Sequence, residues 1–423
     1  MRRPVGLLLL AACLLWADAA TADTLLLSGA RVLDARGEGW LEGHDVLVVD
    51  GRIASIAPAE RIERPEGARR IDLRGAFLVP GLIDLHTHLL LHPYDETPWD
   101  EQVLRESLES RTVRGVVAAR ATLEAGFTTI RDLGTEGAGH ADVALRDAIA
   151  GGLIPGPRVV ATTRAIVAVA SYGPSGFDPR WSVPQGAQEA NGVDGVRLAV
   201  RQQVAAGADW IKVYADYRRR PGAAATPTFS RDELNALVDE ARSAGLPVAA
   251  HAATEEGIRR AVLAGVRSIE HGDGASSELL ELMRDRGVVL CPTLAASEAV
   301  ARYAGFAPGA PEPERVRASR EMFQRALRSG VAIGTGSDAG VFAHGGNARE
   351  IELMVAYGMS PEAALRASTA TAAQVLGREN ELGRLAEGFV ADIIGVSGDP
   401  LRDPAALRDP LLVIRDGIVF RSP

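Results

Sequence analysis

The chain has 423 residues, a formal net charge of −9 and 47% hydrophobic residues, enough for a large buried core and more than one domain. Acidic and basic residues are interspersed, so no basic stripe points to a nucleic-acid partner and no long acidic tail to a solvating segment. Two cysteines exclude a disulfide scaffold.

Residues 1–22 read as an export signal. "MRR" is a basic start, "PVGLLLLAACLLW" an apolar run, and "ATA" at Ala20–Ala22 a small-residue cleavage site. Cleavage after Ala22 leaves Asp23 as the mature start, in a protein that is periplasmic or secreted. "LAAC" at Leu10–Cys13 also fits a lipoprotein box with the lipid on Cys13. Against that, "LLW" follows directly and prolongs the apolar run. The run is too short to span a bilayer, so no stable membrane insertion is expected. Without Cys13, Cys291 has no intramolecular partner, and within "GVVLCPTL" it reads as a small buried hydrophobe.

Residues 23–78 hold short alternating runs, "TLLLSGARVLD" and "HDVLVVDGRIASIAP", with "DG" as a hairpin signal. Residues 384–423 repeat the texture in "ADIIGVSGD" and "PLLVIRDGIVFR". Two ends of one character predict one small β domain built from both termini. Between them, residues 79–383 alternate apolar runs with helical stretches. The runs are "AFLVPGLIDLH", "FTTIRDLG", "PRVVATT", "DWIKVYAD", "PVAAHA", "VRSIEHG", "VVLCPTL" and "VAIGTGSDAG". "SRDELNALVDEARSAG" and "TEEGIRRAVLAG" are amphipathic, the second with Thr254 as a cap but no capping box. Eight βα units predict an α/β protein with a (β/α)8 TIM barrel rather than an open doubly wound sheet.

Polar residues recur at the ends of these runs. His86 and His88 end the first, Lys212 lies in the fourth, and His251, His271 and Asp338 end the fifth, sixth and eighth. Strand ends meet at one mouth of such a barrel. Residues two apart share a strand face, so His86 and His88 can grip one ion. Nitrogen ligands with a carboxylate suit Zn²⁺, with Mn²⁺, Co²⁺ or Fe²⁺ as substitutes.

"GLIDLHTH", "WIKVYAD", "AAHA", "SIEHG" and "GTGSDAG" occur in that order. In these motifs the chain resembles the amidohydrolase superfamily, in its binuclear metal branch, across nearly the whole mature chain. Within it the chain resembles exported Xaa-Pro and Xaa-Arg/Lys dipeptidases, which are carboxypeptidase-like, and ochratoxin-hydrolysing amidohydrolases. "RDLGTEGAG" and "SYGPSGF" lean toward the latter. The terminal β segments match that family's small composite sandwich domain.

The resemblance implies two divalent metal ions. His86, His88 and Asp338 would bind the first, His251 and His271 the second, and Lys212 both, as a carbamate formed with CO₂. The chemistry is sound: an ammonium cannot ligate metal, whereas a carbamate presents anionic oxygens, and a low-dielectric site near cations favours the neutral amine that reacts. A water activated between the ions would attack an amide carbonyl, with Asp338 moving the proton to the leaving amine. Tyr214, two residues beyond Lys212, would hydrogen-bond the carbonyl or oxyanion. His344 would contact the substrate or support a ligand. Tyr172 stands where many relatives carry a histidine, which shifts the recognition of a substrate carboxylate to Arg164 or to "YRRRPG" at Tyr217–Gly222. Tyr172, Phe177 and Trp181 are expected to wall an apolar pocket. His44, His92 and His140 read as surface or packing residues.

The expected protein is therefore an exported, homo-oligomeric metallohydrolase of N-acyl amino acids, acting on dipeptides or on ochratoxin A-like N-acyl phenylalanine. Cyclic-amide hydrolysis, deamination and a non-catalytic barrel relative are the alternatives.

Overall fold

The computed structural model describes residues 24–178, 180–220, 222–307 and 309–423. The signal segment, with Cys13 and the Ala22 cleavage site, lies outside the described residues. Among the described residues no helix is long and apolar enough to cross a membrane.

Both termini build one β unit of two sheets. The first has the order Arg52–Pro58, His44–Val49, Leu25–Ser28, Arg69–Asp72. The second runs Ile418–Arg421, Leu412–Arg415, Ile393–Val396, Phe77–Pro80, Arg31–Leu33, Trp40–Leu41. C-terminal Ile393–Val396 pairs antiparallel with N-terminal Phe77–Pro80, which joins the two ends of the chain. The two "DG" signals are the hairpin turns, with φ of 48° and 75° at Asp50 and Gly51 and of 51° and 75° at Asp416 and Gly417. Paired positive φ values match the right-handed twist of the strands they join. The turns also touch: a Cβ on Gly417 would lie 2.6 Å from the Gly51 Cα.

The rest of the chain is mixed α/β with parallel strands. Strands β1 (Leu82–Thr87), β2 (Phe127–Asp132) and β3 (Arg158–Ala161) form one parallel sheet. A second parallel sheet runs from Gln188–Ala190 and Ile166–Ala168 to β4 (Ile211–Tyr214), β5 (Val248–Ala252), β6 (Ser268–His271) and β7 (Val289–Cys291). Helices such as Leu108–Glu124, Gly192–Ala205, Arg231–Ser243 and Glu255–Ala264 connect and cover them. Cover on both faces explains why the strands read as continuous apolar runs; every residue of β1 is buried. Thr254 caps its helix as expected, accepting from the Gly257 N–H at 3.1 Å.

Two runs differ from the sequence reading. "AFLVPGLIDLH" is two strands, Phe77–Pro80 in the β unit and β1 in the parallel sheet, parted at Gly81, where a Cβ would meet Thr128 Oγ1 at 2.2 Å. "VAIGTGSDAG" makes only isolated parallel bridges, Leu290–Ile333 to β7 and Thr87–Ala339 to β1. It nonetheless lies hard against β1: Leu85 N–H donates to Thr335 O at 2.8 Å and Asp338 N–H to His86 O at 2.7 Å. A Cβ on Gly336 would be 2.9 Å from the His86 Cβ, so only glycine permits this approach.

Candidate metal centre

The six residues singled out at strand ends converge. His86, in β1, and His88, one residue past its end, are both buried. Asp338 reaches them from the bridging segment, with Oδ1 3.5 Å from His86 Nε2 and 3.2 Å from His88 Nε2. Donor atoms of the three lie within 4.8 Å of one another, a spacing that can hold one metal ion. His271 lies 5.2 Å from His86 and 4.5 Å from His251, ring centre to ring centre. Lys212 is next to β5 in register, opposite Ala249 and two pairs below the Tyr214–His251 pair. Its Nζ is buried and has no hydrogen-bond partner among the described residues.

The electrostatics favour ligand forms. Burial, reinforced by the positive charge of Lys212 and neighbouring histidines, holds His86 and His251 well below the usual imidazole range, and His271 is lowered as well. A neutral imidazole is the form that binds metal. Burial also pushes His88 down, but the hydrogen bond and charge of Asp338 overcome it and place His88 at about 9. Burial works against the ionised Asp338, yet His86 and His88 hold it well below the usual carboxylate range. Lys212 falls to about 8 through burial, against the pull of Glu270 and Asp338. Three neutral imidazoles, an ionised carboxylate, an orphaned amine and His88, whose proton is held by Asp338 and is displaced when a cation takes its place, are a donor set that fits divalent cations.

Most of the residues that support these ligands sit inside the same motifs, but the sequence reading does not single them out. His86 Nδ1 donates to Glu270 Oε2 at 2.9 Å and His88 Nδ1 to Gly134 O at 2.9 Å. Both acceptors only accept, so Nδ1 carries the proton and Nε2 keeps its lone pair. Glu270 Oε1 takes Arg131 Nη2 at 2.9 Å and the Ser268 hydroxyl, all fully buried. Asp84 ties β1 to the Asp338 segment by accepting from the Ser337 and His86 N–H groups, each at 3.0 Å, and from Asn347 at 2.8 Å. Asp216 lies 3.9 Å from His251 and accepts from the Ala253 and Thr254 N–H groups. The one sequence signal is an ionisable residue inside an apolar run, as in "SIEHG" and "FTTIRDLG".

A cavity of about 450 Å³ opens over this centre, and His86, His88, His251, His271 and Asp338 line it. Of the eight non-glycine residues with positive φ among the described residues, four line it: Glu136, His271, Thr293 and Asp338. Such backbone is costly and gathers where a site needs it. Tyr214 also lines the cavity, stacked on His251 at 4.5 Å. Tyr172 does too, its hydroxyl donating to Glu136 Oε2.

His344 is outside the lining, behind His88, with Nε2 3.1 Å from the His88 carbonyl oxygen. Arg164 is also outside it and donates to Gln188 Oε1 at 3.1 Å. The arginines that line the cavity are Arg218, from "YRRRPG", and Arg315. Phe177 and Trp181 are 40% and 65% exposed and face each other at 6.3 Å, away from the lining. His92 packs inside, 2.8 Å from Glu106 Oε1, and Cys291 is buried.

Comparison with known proteins agrees with this geometry. The amidohydrolase family matches residues 77–419. Ochratoxinase from Aspergillus niger is 30% identical over 423 aligned residues, covering 92% of this chain and 85% of its own. The crystal structure of a Xaa-Pro dipeptidase with methionine bound in the active site superposes with a TM-score of 0.83 at 31% identity, covering 95% of this chain and 100% of that one. A prolidase complexed with N-methylphosphonate-L-proline gives 0.82 at 31% identity, with coverage of 95% and 100%. The family match spans most of the sequence and includes every residue of the centre, and the chain belongs to the amidohydrolase family.

Proposed function

We propose that this hydrolase uses two divalent metal ions, Zn²⁺ foremost, to cleave the amide bond of N-acyl amino acids with a free carboxylate. Dipeptides and ochratoxin A-like N-acyl phenylalanines are members of that class. The observation that carries the reading is Lys212, a buried amine without a hydrogen-bond partner beside four imidazoles and a carboxylate. A buried ammonium left unpaired is costly. Its carbamate offers two anionic oxygens where the amine had no partner.

In this reading His86, His88 and Asp338 would hold one ion, His251 and His271 the other, and carbamylated Lys212 would serve both. Bound ions would supply an acidified water and polarise the amide carbonyl. Asp338 takes the proton of the attacking water and passes it to the leaving nitrogen. Tyr214 donates its hydroxyl to the oxygen that becomes negative. Arg218 and Arg315 take the place assigned to Arg164 and meet the substrate carboxylate. His344 positions His88 through its carbonyl.

The scaffold in this reading is a (β/α)8 barrel over residues 79–383 on a β-sandwich from 23–78 and 384–423. The segment with Asp338 serves as the eighth strand, and backbone hydrogen bonds to Leu290 and Leu85 on its two sides support it. Export with cleavage after Ala22 and a homo-oligomeric state belong to the same proposal.

Elemental analysis of protein reconstituted with Zn²⁺ and bicarbonate tests it. Two ions per chain are expected, with a carbamate carbon visible by NMR after labelling with ¹³C-bicarbonate. Both should be lost in Lys212→Ala. One ion or fewer overturns the binuclear reading. Hydrolysis of cyclic amides without hydrolysis of N-acyl amino acids overturns the substrate class.

A further inference from the structure

We infer that the cavity holds a subsite for an ammonium group, built on Glu136, so that the preferred substrates are dipeptides with a free N-terminal amine. The inference rests on the amide-hydrolase reading above and specifies the acyl half that the site accepts.

Glu136 lies in the loop after β2, is 2% exposed and lines the same cavity as His86, His88 and Asp338. Among the described residues its carboxylate has no ion-pair partner. Arg111 is buried beside it but gives Nη1 to the Glu136 backbone carbonyl. The carboxylate receives neutral donors only. Trp99 Nε1, at 2.8 Å, and the Tyr172 hydroxyl both bond Oε2. Oε1 has a single long contact, the Tyr214 hydroxyl at 3.4 Å. A carboxylate has about four acceptor sites, so Oε1 is left with capacity. A carboxylate this buried is stabilised by a counter-charge, and the guanidinium beside it bonds the backbone carbonyl rather than the carboxylate, which leaves Oε1 open to a ligand.

The surroundings suit an ammonium. The Tyr172 ring lies 4.9 Å from Trp99, 4.7 Å from Tyr214 and 4.9 Å from Tyr217, centre to centre. Faces of such rings attract cations, and Tyr172, Tyr214 and Tyr217 line the cavity together with the Glu136 carboxylate. The position suits a dipeptide too. The α-amine sits on the carbon next to the scissile carbonyl, so its partner must stand beside the reacting centre. Glu136 does: Tyr214 is stacked on His251, and the Gly134 carbonyl that orients His88 is two residues before Glu136. Arg218 and Arg315 line the same cavity and suit the carboxylate at the other end. An acyl group without an amine leaves Glu136 uncompensated.

The test uses the full chain loaded with Zn²⁺ and bicarbonate at neutral pH, where most of an α-amine is protonated. Three substrates are compared: leucyl-phenylalanine, its analogue with hydroxyl in place of the amine, and 4-methylpentanoyl-phenylalanine. In the wild type, kcat/KM for the amine should exceed that for the other two by about tenfold or more, the worth of a charge-assisted contact. In Glu136→Gln the ratio should fall to near one. Equal kcat/KM for all three in the wild type overturns the ammonium subsite and leaves amide hydrolysis standing. A ratio unchanged in Glu136→Gln overturns the assignment to Glu136. Hydrolysis of none of the three overturns the amide-hydrolase reading and the inference with it.

Discussion

Glu270→Gln changes one atom of a fully buried side chain, and the donors around that atom decide its effect. Glu270 serves three donors with two oxygens: Oε2 accepts from His86 Nδ1 and Oε1 from Arg131 Nη2, both at 2.9 Å, and Oε1 also from the Ser268 hydroxyl. An amide has one accepting oxygen. If that oxygen faces Arg131, the amide nitrogen points at His86 Nδ1, which must then accept. The imidazole proton moves to Nε2, and the nitrogen that faces Asp338 is lost as a ligand. If it faces His86, an NH₂ group opposes the guanidinium. Arg131 still has Leu85 O at 2.7 Å, Ser268 Oγ at 3.1 Å and the Trp210 ring at 4.5 Å, so the first arrangement keeps the buried charge satisfied.

Breaking a buried ion pair by removing one partner costs about 3–5 kcal/mol. The hydrogen bond that the amide retains offsets about 1 kcal/mol of this. We expect about 2–4 kcal/mol of destabilisation in the metal-free protein, against a total of about 5–15 kcal/mol, so the variant still folds. Zinc affinity should drop by about 10–100-fold, the usual cost of losing the partner that orients a ligand. Urea unfolding of the metal-free protein gives the first quantity and a chelator competition titration the second. Adding Arg131→Met removes the competing donor, frees the amide oxygen to turn to His86, and should restore zinc affinity. A single variant with wild-type zinc affinity, or a double variant with none regained, refutes the reasoning.

Three other perturbations are equally direct. Asp338→Asn should lower turnover by about 10²–10⁴, the worth of a positioned acid–base group, and near-normal turnover removes Asp338 from proton transfer. Glu350 is buried, with Oε2 on the Ala295 N–H at 2.7 Å and Oε1 without a partner. Burial raises its pKa from 4.5 to about 8. The folded state therefore binds the proton more tightly, and the stability this group contributes below its unfolded pKa is lost as pH rises through about 8. Wild type should lose up to about 1.4 kcal/mol per pH unit relative to Glu350→Gln across that window, and parallel urea midpoints at pH 6 and pH 9 would refute it. Amidating the carboxylate of an N-acyl-phenylalanine should lower kcat/KM by about tenfold or more, and Arg218→Met should shrink that difference. Equal rates for acid and amide would show that no arginine reads the carboxylate.

The ligands are legible in the sequence because each is a polar residue at the end of an apolar run, and a run of that kind has few structural uses for a histidine. The hairpins are legible because "DG" suits the positive φ that both turns adopt. Alternation alone misleads at His271. Ser268 and Glu270 bond each other on the inner side of β6, which would turn His271 outward. A φ of 71° at His271 breaks the pattern and brings the ring back to the site. The Asp338 segment reads as a strand because its apolar start fits one. Its glycines serve instead to pass β1 at contact distance.

Loops hide more than strands. Arg164 and Arg218 are equally plausible on paper, since nothing periodic fixes where a loop arginine points. Glu136 lies in plain view in "RDLGTEGAG", within a glycine-rich loop where an acid is usually solvated. What sequence does constrain is the demand for partners. Arg131 in "FTTIRDLG" and Glu270 in "SIEHG" are opposite charges inside apolar runs, 139 residues apart, and neither can be buried alone. That demand says each needs a buried partner, and the fold shows that each is the other's. The same rule applied to Glu136 finds only Arg111, which bonds its backbone carbonyl and leaves the carboxylate without an ion pair among the described residues, and the substrate is the place to look for one.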